Sequence, residues 1–142
     1  MKKIILSFLI FMLVSACTVA SRPVYAQAEH SAKVVAYYFY SAIRCPTCHK
    51  LEQYSKEAIE RNLNDALGSG KLEFKAVNTD EKGNEHFLND YQLYTKSLVL
   101  SLVENGREVK SKNLARIWEL VGNKPKFYEY VTTEINDFMK GV

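Results

Sequence analysis

Glycine is scarce in this sequence, with six residues in a chain of 142. None of the six builds the G-x-G-x-x-G turn of a dinucleotide-binding fold or a glycine loop that wraps a phosphate. No cluster of acidic residues marks a metal site. The sequence therefore predicts neither a nucleotide or flavin cofactor nor a resident metal.

Cysteine is sparse too, with three residues. Cys17 stands apart, and one close pair, Cys45 and Cys48, does not make a small disulfide-stapled scaffold. A strong charge of one sign is also lacking. Lys2 and Lys3 supply two of the 19 basic residues, and the remaining 17 stand against 16 acidic residues. This balance excludes the basic surface on which a nucleic-acid partner depends.

The first 16 residues have the pattern of a bacterial secretory signal peptide. Lys2 and Lys3 form a basic start, and the apolar run from Ile4 to Val14 is too short to span a bilayer stably. We therefore expect residues 1–16 to direct export to the cell envelope or periplasm.

Two processing sites compete after this segment. Val14-Ser15-Ala16-Cys17 matches the lipobox of bacterial lipoproteins, in which the cysteine is lipidated and anchors the protein to a membrane. Ordinary signal peptidase would instead cleave after Ala26 or Ala28. We favour lipidation of Cys17, since a cysteine directly after an apolar stretch and two small residues is uncommon. Residues 17–32 then form a tether or leader remainder, and residues 33–142 one compact domain.

The first half of this domain alternates strand and helix patterns. Val34 to Tyr40 is almost continuously apolar, as expected of a central strand covered on both faces. Helical spacing continues from Cys48 to Ala66 and stops at Gly68-Ser69-Gly70. Leu72 to Val77 alternates as a second strand, and the connecting helix makes the two strands parallel.

The second half continues with a helical segment, two strands and two helical segments: Asn84 to Tyr91, Ser97 to Val103, Glu108 to Ser111, Ala115 to Leu120 and Pro125 to Met139. Asn105-Gly106 between the two strands is a strong hairpin signal, because both residues tolerate positive φ. The order β-α-β-α-β-β-α predicts an α/β fold with a mixed four-stranded sheet flanked by helices.

The segment Cys45-Pro46-Thr47-Cys48-His49 lies where the first strand ends and a helix begins. A thiolate at a helix N-terminus is stabilised by free backbone N–H groups and the helix dipole, which lower its pKa. The spacing lets the second thiol attack a mixed disulfide formed by the first. We therefore predict that Cys45 attacks and Cys48 resolves, with Pro46 in the first helical turn.

Three alternatives to redox exchange remain at this motif. Cys-x-x-Cys-His is also the attachment signature of c-type haem, with His86 or Met139 as the second axial ligand, although the β-prone run before it disfavours this interpretation. The thiolates, with His49 or His86, would also suit a soft metal such as Cu(I) or Zn. The third alternative is a non-catalytic adaptor with a static disulfide.

The element order and the dithiol together resemble the thioredoxin superfamily over residues 33 to 140. Four features carry the resemblance: the strand ending at Tyr40, Cys45-x-x-Cys48, the segment Val77-Asn78-Thr79-Asp80, and Ser97 to Gly106 with its hairpin. The resemblance implies a redox-active pair that exchanges with protein thiols and disulfides, or with a redox partner protein. It implies the class of thiol–disulfide oxidoreductases.

A narrower resemblance is to a thioredoxin-like family described as a nitrophenyl-compound nitroreductase subunit, the ArsF-like group. The residues that carry it lie along the whole domain: Tyr37-Tyr38-Phe39, Cys45-x-x-Cys48, His86-Phe87, Asp90-Tyr91-Gln92-Leu93-Tyr94 and Trp118-Glu119-Leu120. This likeness implies delivery of electrons to a partner through the two cysteines.

The chain departs from thioredoxins at two positions. Phe39 stands where thioredoxins place a buried carboxylate beneath the dithiol, so no proton acceptor for Cys48 is supplied there. The loop Tyr94-Thr95-Lys96-Ser97 lacks the cis-proline that faces the dithiol, and we expect it to be trans. Lys96 would then place an ammonium near the Cys45 sulfur.

The charge and aromatic content around the motif give two further expectations. Arg44, His49 and Lys50 surround the cysteines with positive charge, which favours a thiolate at Cys45. The clustered aromatic residues are expected to be core rather than a flavin face: Tyr37, Tyr38, Phe39, Tyr40, Phe74, Tyr91, Tyr94 and Trp118.

Overall fold

The structure is a computed structural model, and it describes residues 32–140. The predicted signal peptide at residues 1–16, Cys17 with the competing cleavage sites, and nearly all of the 17–32 tether lie outside the described residues. They stay predictions, as does the domain boundary at residue 33. Within residues 32–140 no helix is long and apolar enough to cross a bilayer.

In the described part of the chain, four strands form one mixed sheet in the order β2-β1-β3-β4. They are β1 (Ala32–Tyr40), β2 (Leu72–Asn78), β3 (Ser97–Glu104) and β4 (Arg107–Asn113). β1 pairs parallel with β2 and antiparallel with β3, and β3 pairs antiparallel with β4. The nearly continuous apolar run from Val34 to Tyr40 therefore lies in a central strand, as predicted.

Within residues 32–140 five helices accompany the sheet: α1 (Pro46–Asn62), α2 (Asn64–Gly68), α3 (His86–Asp90), α4 (Ile117–Leu120) and α5 (Lys124–Met139). With the strands they give the predicted thioredoxin-like fold of a mixed four-stranded sheet flanked by helices. The prediction of one helix from the dithiol to Gly68 is wrong. Leu63 leaves helical geometry, at φ −129° and ψ 26°, and buries its side chain in the core between α1 and α2.

The hairpin between β3 and β4 has the predicted geometry. Asn105 has φ 51° and Gly106 has φ 78°. Two consecutive positive φ values are what a type I′ turn requires, and this turn matches the twist of the paired strands.

The larger core lies between the sheet and the pair α1 and α5. α1 buries Cys48, Leu51, Ser55, Ala58 and Ile59, which are the positions that its helical spacing predicts. α5 buries Phe127, Val131, Ile135 and Phe138, while Tyr130 is half-buried. The apolar stripes of the two helices therefore fix α1, with Cys48 at its start, against the sheet.

A second core lies on the other face of the sheet. Phe39, Leu93 and Val99 are buried there, with aromatic residues of the 86–91 segment packed against them. The Phe39 ring lies 5.0 Å from that of Phe87 and 5.4 Å from that of Tyr91, measured between centroids. Phe39 therefore fills an apolar site, and no carboxylate occupies that position.

A polar cluster ties α1 to α5. Lys124 Nζ lies 2.7 Å from Glu57 Oε2, and the Tyr128 hydroxyl donates to the same carboxylate. The Lys124 ammonium also lies 4.8 Å from the centroid of the Tyr54 ring. Hydrogen bonds from Lys124, and after it Tyr128, lower the pKa of Glu57 from 4.5 to about 2.

Glu57→Gln should therefore lower stability in a pH-dependent way. Because the pKa of Glu57 is depressed in the folded state, its carboxylate stabilises the fold above pH 4.5, and this contribution fades as the pH falls towards about 2. The effect is small, since the group is partly exposed and water screens it. Thermal unfolding between pH 2 and 7 should show a difference from the parent that closes in acid. Glu60→Gln on the same helix is the control, and a pH-independent difference for Glu57→Gln would contradict this origin.

Candidate functional site

The dithiol lies at the carboxyl end of β1, where open α/β sheets place their sites. β1 ends at Tyr40, a loop covers residues 41–44, and Cys45 is the N-cap of α1 with extended backbone, at ψ 165°. Pro46 occupies the start of the helix, where its missing N–H costs nothing and its fixed φ suits the first turn. The sequence places the motif correctly at this junction.

The end of β2 holds the 41–44 loop in place. The Thr79 backbone N–H donates to the Tyr40 carbonyl over 2.8 Å, and the Ala42 N–H donates to Asp80 Oδ2 over 2.8 Å. These two bonds fix the path of the chain into Cys45. Sequence analysis singled out the segment that contains Thr79 and Asp80 but not their role.

Cys45 and Cys48 form a disulfide, with their Cα atoms 5.1 Å apart. The Cys48 backbone N–H donates to Cys45 Sγ over 3.2 Å, so this sulfur caps the helix. Cys45 is exposed, whereas Cys48 is only 3% exposed. The two sulfur atoms are therefore unequal, with one at the surface and one in the core.

This inequality suits thiol–disulfide chemistry. On reduction, a thiolate at Cys45 would accept the Cys48 N–H and lie at the positive end of a helix of 17 residues without an acidic residue in its first turn. Only an exposed sulfur can be reached by a protein substrate. The roles of Cys45 as attacking thiol and Cys48 as resolving thiol stay predictions, now with a geometry that suits them.

Brief alkylation of the reduced protein at neutral pH should label Cys45 about tenfold or more faster than Cys48, because the thiolate at an exposed helix start reacts and a buried thiol does not. Peptide mapping by mass spectrometry measures the two rates. Labelling in denaturant, where both rates should converge, is the control. Equal rates in the folded protein, or faster labelling of Cys48, would reverse or remove the assigned roles.

A tyrosine hydroxyl lies behind the dithiol. The Tyr38 O–H donates to the Cys48 carbonyl over 2.8 Å, in the core. Burial raises the pKa of Tyr38 to about 12, so this group stays a donor at neutral pH. Sequence analysis assigned Tyr38 to the core and missed this bond, which depends on the packing of β1 against α1.

Part of the positive charge expected around the cysteines is neutralised by an ion pair. Arg44 pairs with Glu52, and its guanidinium stacks 4.3 Å above the centroid of the Tyr40 ring. The expectation that Arg44 simply adds positive charge is therefore wrong, because Glu52 neutralises it. His49 and Lys50 are exposed near the start of α1.

A groove of about 120 Å³ lies beside the dithiol loop, between the end of β1 and the segment before β3. Ser41, Thr79, Tyr94 and Lys96 contribute to its lining. Lys96 is thus brought to the same edge of the sheet as the cysteines. Its predicted support of the Cys45 sulfur stays a prediction.

The segment before β3 is fixed by its own hydrogen bonds. The Trp118 indole N–H donates to the Lys96 carbonyl over 2.9 Å, and the Ser97 hydroxyl donates to the Thr95 carbonyl over 2.9 Å. The peptide bonds of residues 32–140 include no cis bond, which agrees with the expected trans loop. Trp118 therefore holds this segment where thioredoxins use a proline.

Two exposed apolar side chains lie near the site. Ile43 is 85% exposed in the loop before Cys45, and Tyr94 is 95% exposed in the loop that lines the groove. The expectation that Tyr94 belongs to the core is wrong, since it lies in a loop between α3 and β3, outside the period of either element. Both residues are suitable contacts for a partner protein.

The alternatives to a redox site gain little from the structure. A c-type haem would suit a mainly helical chain, whereas this domain is built on a four-stranded sheet. Among residues 32–140, no group of three or more His, Cys, Asp or Glu side chains is arranged to hold a metal. His86 lies on α3, with its Nδ1 2.7 Å from Asp90 Oδ2. The disulfide at the start of α1 stays the candidate site.

Comparison with known proteins adds a structural likeness to thioredoxins. No protein-family model and no curated protein matches this chain. A thioredoxin of Entamoeba histolytica is 20% identical over 71% of this chain and 81% of its own, with a TM-score of 0.39. The Fasciola hepatica thioredoxin is 18% identical over 71% and 80%, with a TM-score of 0.39.

The germline-specific thioredoxin Deadhead of Drosophila melanogaster is 18% identical over 66% of this chain and 80% of its own, with a TM-score of 0.40. The assignment of a thioredoxin-like fold rests on the element order, the sheet order and the dithiol at the end of β1.

Proposed function

We propose that this protein is an exported thiol–disulfide oxidoreductase whose Cys45 and Cys48 cycle between a disulfide and a dithiol. The observation that carries the proposal is the pair itself: an exposed sulfur that caps the start of α1, bonded to a buried sulfur three residues on. An inert structural disulfide has no need of an exposed sulfur at a helix N-terminus.

Exchange proceeds in two steps that balance in atoms and electrons. The Cys45 thiolate attacks one sulfur of a substrate disulfide, forms a mixed disulfide and releases the other substrate sulfur as a thiolate. Cys48 then loses its proton, and its thiolate attacks Cys45 Sγ and releases the second substrate thiolate. Two electrons pass from the reduced pair to the substrate, and the two released thiolates take up the proton that Cys48 lost and one proton from water. The reverse sequence oxidises a substrate dithiol.

The partner would be a protein thiol or disulfide, or a dedicated redox protein. Ile43 offers apolar contact area two residues before Cys45, and Tyr94 offers more at the groove that begins at Ser41 in the same loop. This groove would receive a segment of the partner. The narrower likeness to the ArsF-like nitroreductase subunits supports the second kind of partner. In that version the dithiol delivers electrons to a separate reductase.

Catalysed reduction of insulin disulfides, with a dithiol reductant as the electron source, tests this function. We expect turnover by the purified protein and none after both cysteines are alkylated. Titration with Cu(I) separates the alternatives: tight binding to the reduced protein without turnover would favour a metal-binding module. A disulfide that resists the reductant and gives no turnover would favour a static adaptor.

The membrane anchor is part of the proposal and has its own test. If Cys17 is lipidated, the protein should fractionate with membranes, because acyl chains bury many methylenes in the bilayer. Cys17→Ser should move it to the soluble fraction. A mature N-terminus at Gln27 or Glu29, found by mass spectrometry, would show that ordinary signal peptidase removes the leader and that no anchor exists.

A further inference from the structure

We propose that Arg44 and Glu52 act in opposite directions on how readily the Cys45–Cys48 disulfide is reduced, so that their pairing cancels the shift that either charge would cause alone. They are positioning residues, since they act on the sulfur atoms through the local charge. The inference rests on the proposed thiol–disulfide exchange and names a control of that site.

Arg44 and Glu52 lie on either side of the dithiol along the chain. Arg44 directly precedes Cys45, and Glu52 lies one helical turn after Cys48 on the same face of α1. The two side chains meet in an ion pair and are only 18% and 26% exposed. A charge in such a place is screened less by water and salt than one at the open surface.

The Arg44 guanidinium lies largely buried next to the last residues of β1. It stacks on Tyr40, the last residue of β1, and Tyr38, two residues earlier, donates its hydroxyl to the Cys48 carbonyl. Within residues 32–140, Arg44 Nε is buried and has no hydrogen-bond acceptor. A buried N–H without an acceptor is costly. Arg44 directly precedes Cys45, the residue at which a thiolate would form on reduction.

Reduction changes the charge at this place. The disulfide is neutral, whereas the proposed exchange starts from a negative thiolate at Cys45 of the reduced pair. A positive guanidinium stabilises that thiolate, and a negative carboxylate destabilises it. While Arg44 and Glu52 are paired, the two effects nearly cancel. The other charged or titratable groups along this edge are more exposed or lie on other segments: His49, Lys50, Asp80 and Lys96.

Removal of one member should therefore shift the redox equilibrium, with opposite signs for the two members. Glu52→Gln leaves the guanidinium uncompensated and should favour the dithiol form against glutathione by roughly fivefold, which is about 20 mV for two electrons. Arg44→Met leaves the carboxylate uncompensated and should favour the disulfide by a similar factor. Arg44→Lys keeps the charge and should stay near the parent value.

The experiment is a glutathione equilibrium titration of the parent and each variant, with the Cys45 thiolate absorbance followed against pH in the reduced proteins. Lys56→Met and Glu60→Gln are the matched controls, because this exposed pair lies on the same helix with its charged atoms 3.7 Å apart. Neither control should move the equilibrium. The thiolate of Glu52→Gln should form at lower pH than that of the parent, and the thiolate of Arg44→Met at higher pH.

A purely structural clamp would give a different result. Both single variants would lose thermal stability, and the redox equilibrium would stay unchanged or move in one direction for both, which overturns the proposal. The double variant Arg44→Met, Glu52→Gln removes both charges and should return close to the parent, and a persistent shift would also overturn it. If the parent itself does not equilibrate with glutathione, the proposed function fails, whereas a working parent with unshifted variants defeats this inference alone.

Discussion

Cys45→Ser should abolish insulin reduction, lowering the rate by roughly a thousandfold or more, because removal of the nucleophile from a unit that acts together leaves little residual activity. No other cysteine of the described chain is exposed, since Cys48 is in the core. The rate is followed by the turbidity of reduced insulin chains. Cys17→Ser, with both other cysteines intact, should turn over like the parent.

Cys48→Ser should fail in a different way. Its Cys45 thiolate still attacks a disulfide, but no second thiol resolves the product, so the mixed disulfide accumulates. Intact mass spectrometry after mixing with oxidised glutathione should show one added glutathione on Cys48→Ser. Cys45→Ser should show none within the same time. Equal adducts on both variants, or retained turnover by Cys45→Ser, would contradict the assigned roles.

Phe39→Asp should destabilise the fold by about 3–5 kcal/mol. The neighbouring aromatic rings lose their packing contact with the Phe39 ring, and the buried carboxylate has no hydrogen-bond or ion-pair partner. Phe39 is 1% exposed and packs against Phe87 and Tyr91. Urea unfolding followed by circular dichroism measures the loss. Phe39→Leu keeps an apolar side chain and should cost less.

The same variant tests whether a proton acceptor at position 39 would speed disulfide exchange. If Phe39→Asp folded as well as the parent and exchanged disulfides faster, the site beneath the dithiol would already be polar. The apolar packing around Phe39 would then have been misjudged. The expected result is a destabilised protein whose exchange, measured where it is still folded, is no faster.

The element order and the place of the dithiol followed from the sequence because both rest on local patterns. The apolar run of β1, the helical spacing from Cys48 to Ile59 and the Asn105-Gly106 turn each specify a structure within a short stretch of chain. The errors lie where a local pattern ends. Leu63 continues the apolar spacing, yet its backbone is not helical. Its side chain is buried in the core at the point where α1 ends and α2 begins.

Tyr94 shows the same limit. An aromatic side chain is usually buried, but residues outside a helix or strand carry no period that says which way they point. Its exposure depends on how the segment before β3 is held, through the Trp118 and Lys96 contact, 22 residues apart in sequence. The periodicity of a single helix or strand cannot predict a contact between residues so far apart in sequence.

The supporting contacts of the site were hidden for a related reason. The bonds from Tyr38 to Cys48, and from Ala42 to Asp80, join different elements and depend on the register between them. The pair of Arg44 and Glu52 could have been predicted from the sequence. The two residues have opposite charges and lie eight positions apart, one just before α1 and one within it. The expectation of free positive charge at Arg44 did not take the Glu52 carboxylate into account.

Reversible cycling of the Cys45–Cys48 disulfide is the central claim, and a redox titration in glutathione buffers measures it directly. Free thiols of the folded protein are alkylated at each ratio of reduced to oxidised glutathione and counted by mass spectrometry. The account predicts a single two-electron transition in which Cys45 and Cys48 pass together from disulfide to dithiol, and which reverses when the buffer is changed back. A disulfide that stays closed at every ratio and opens only after unfolding would contradict it.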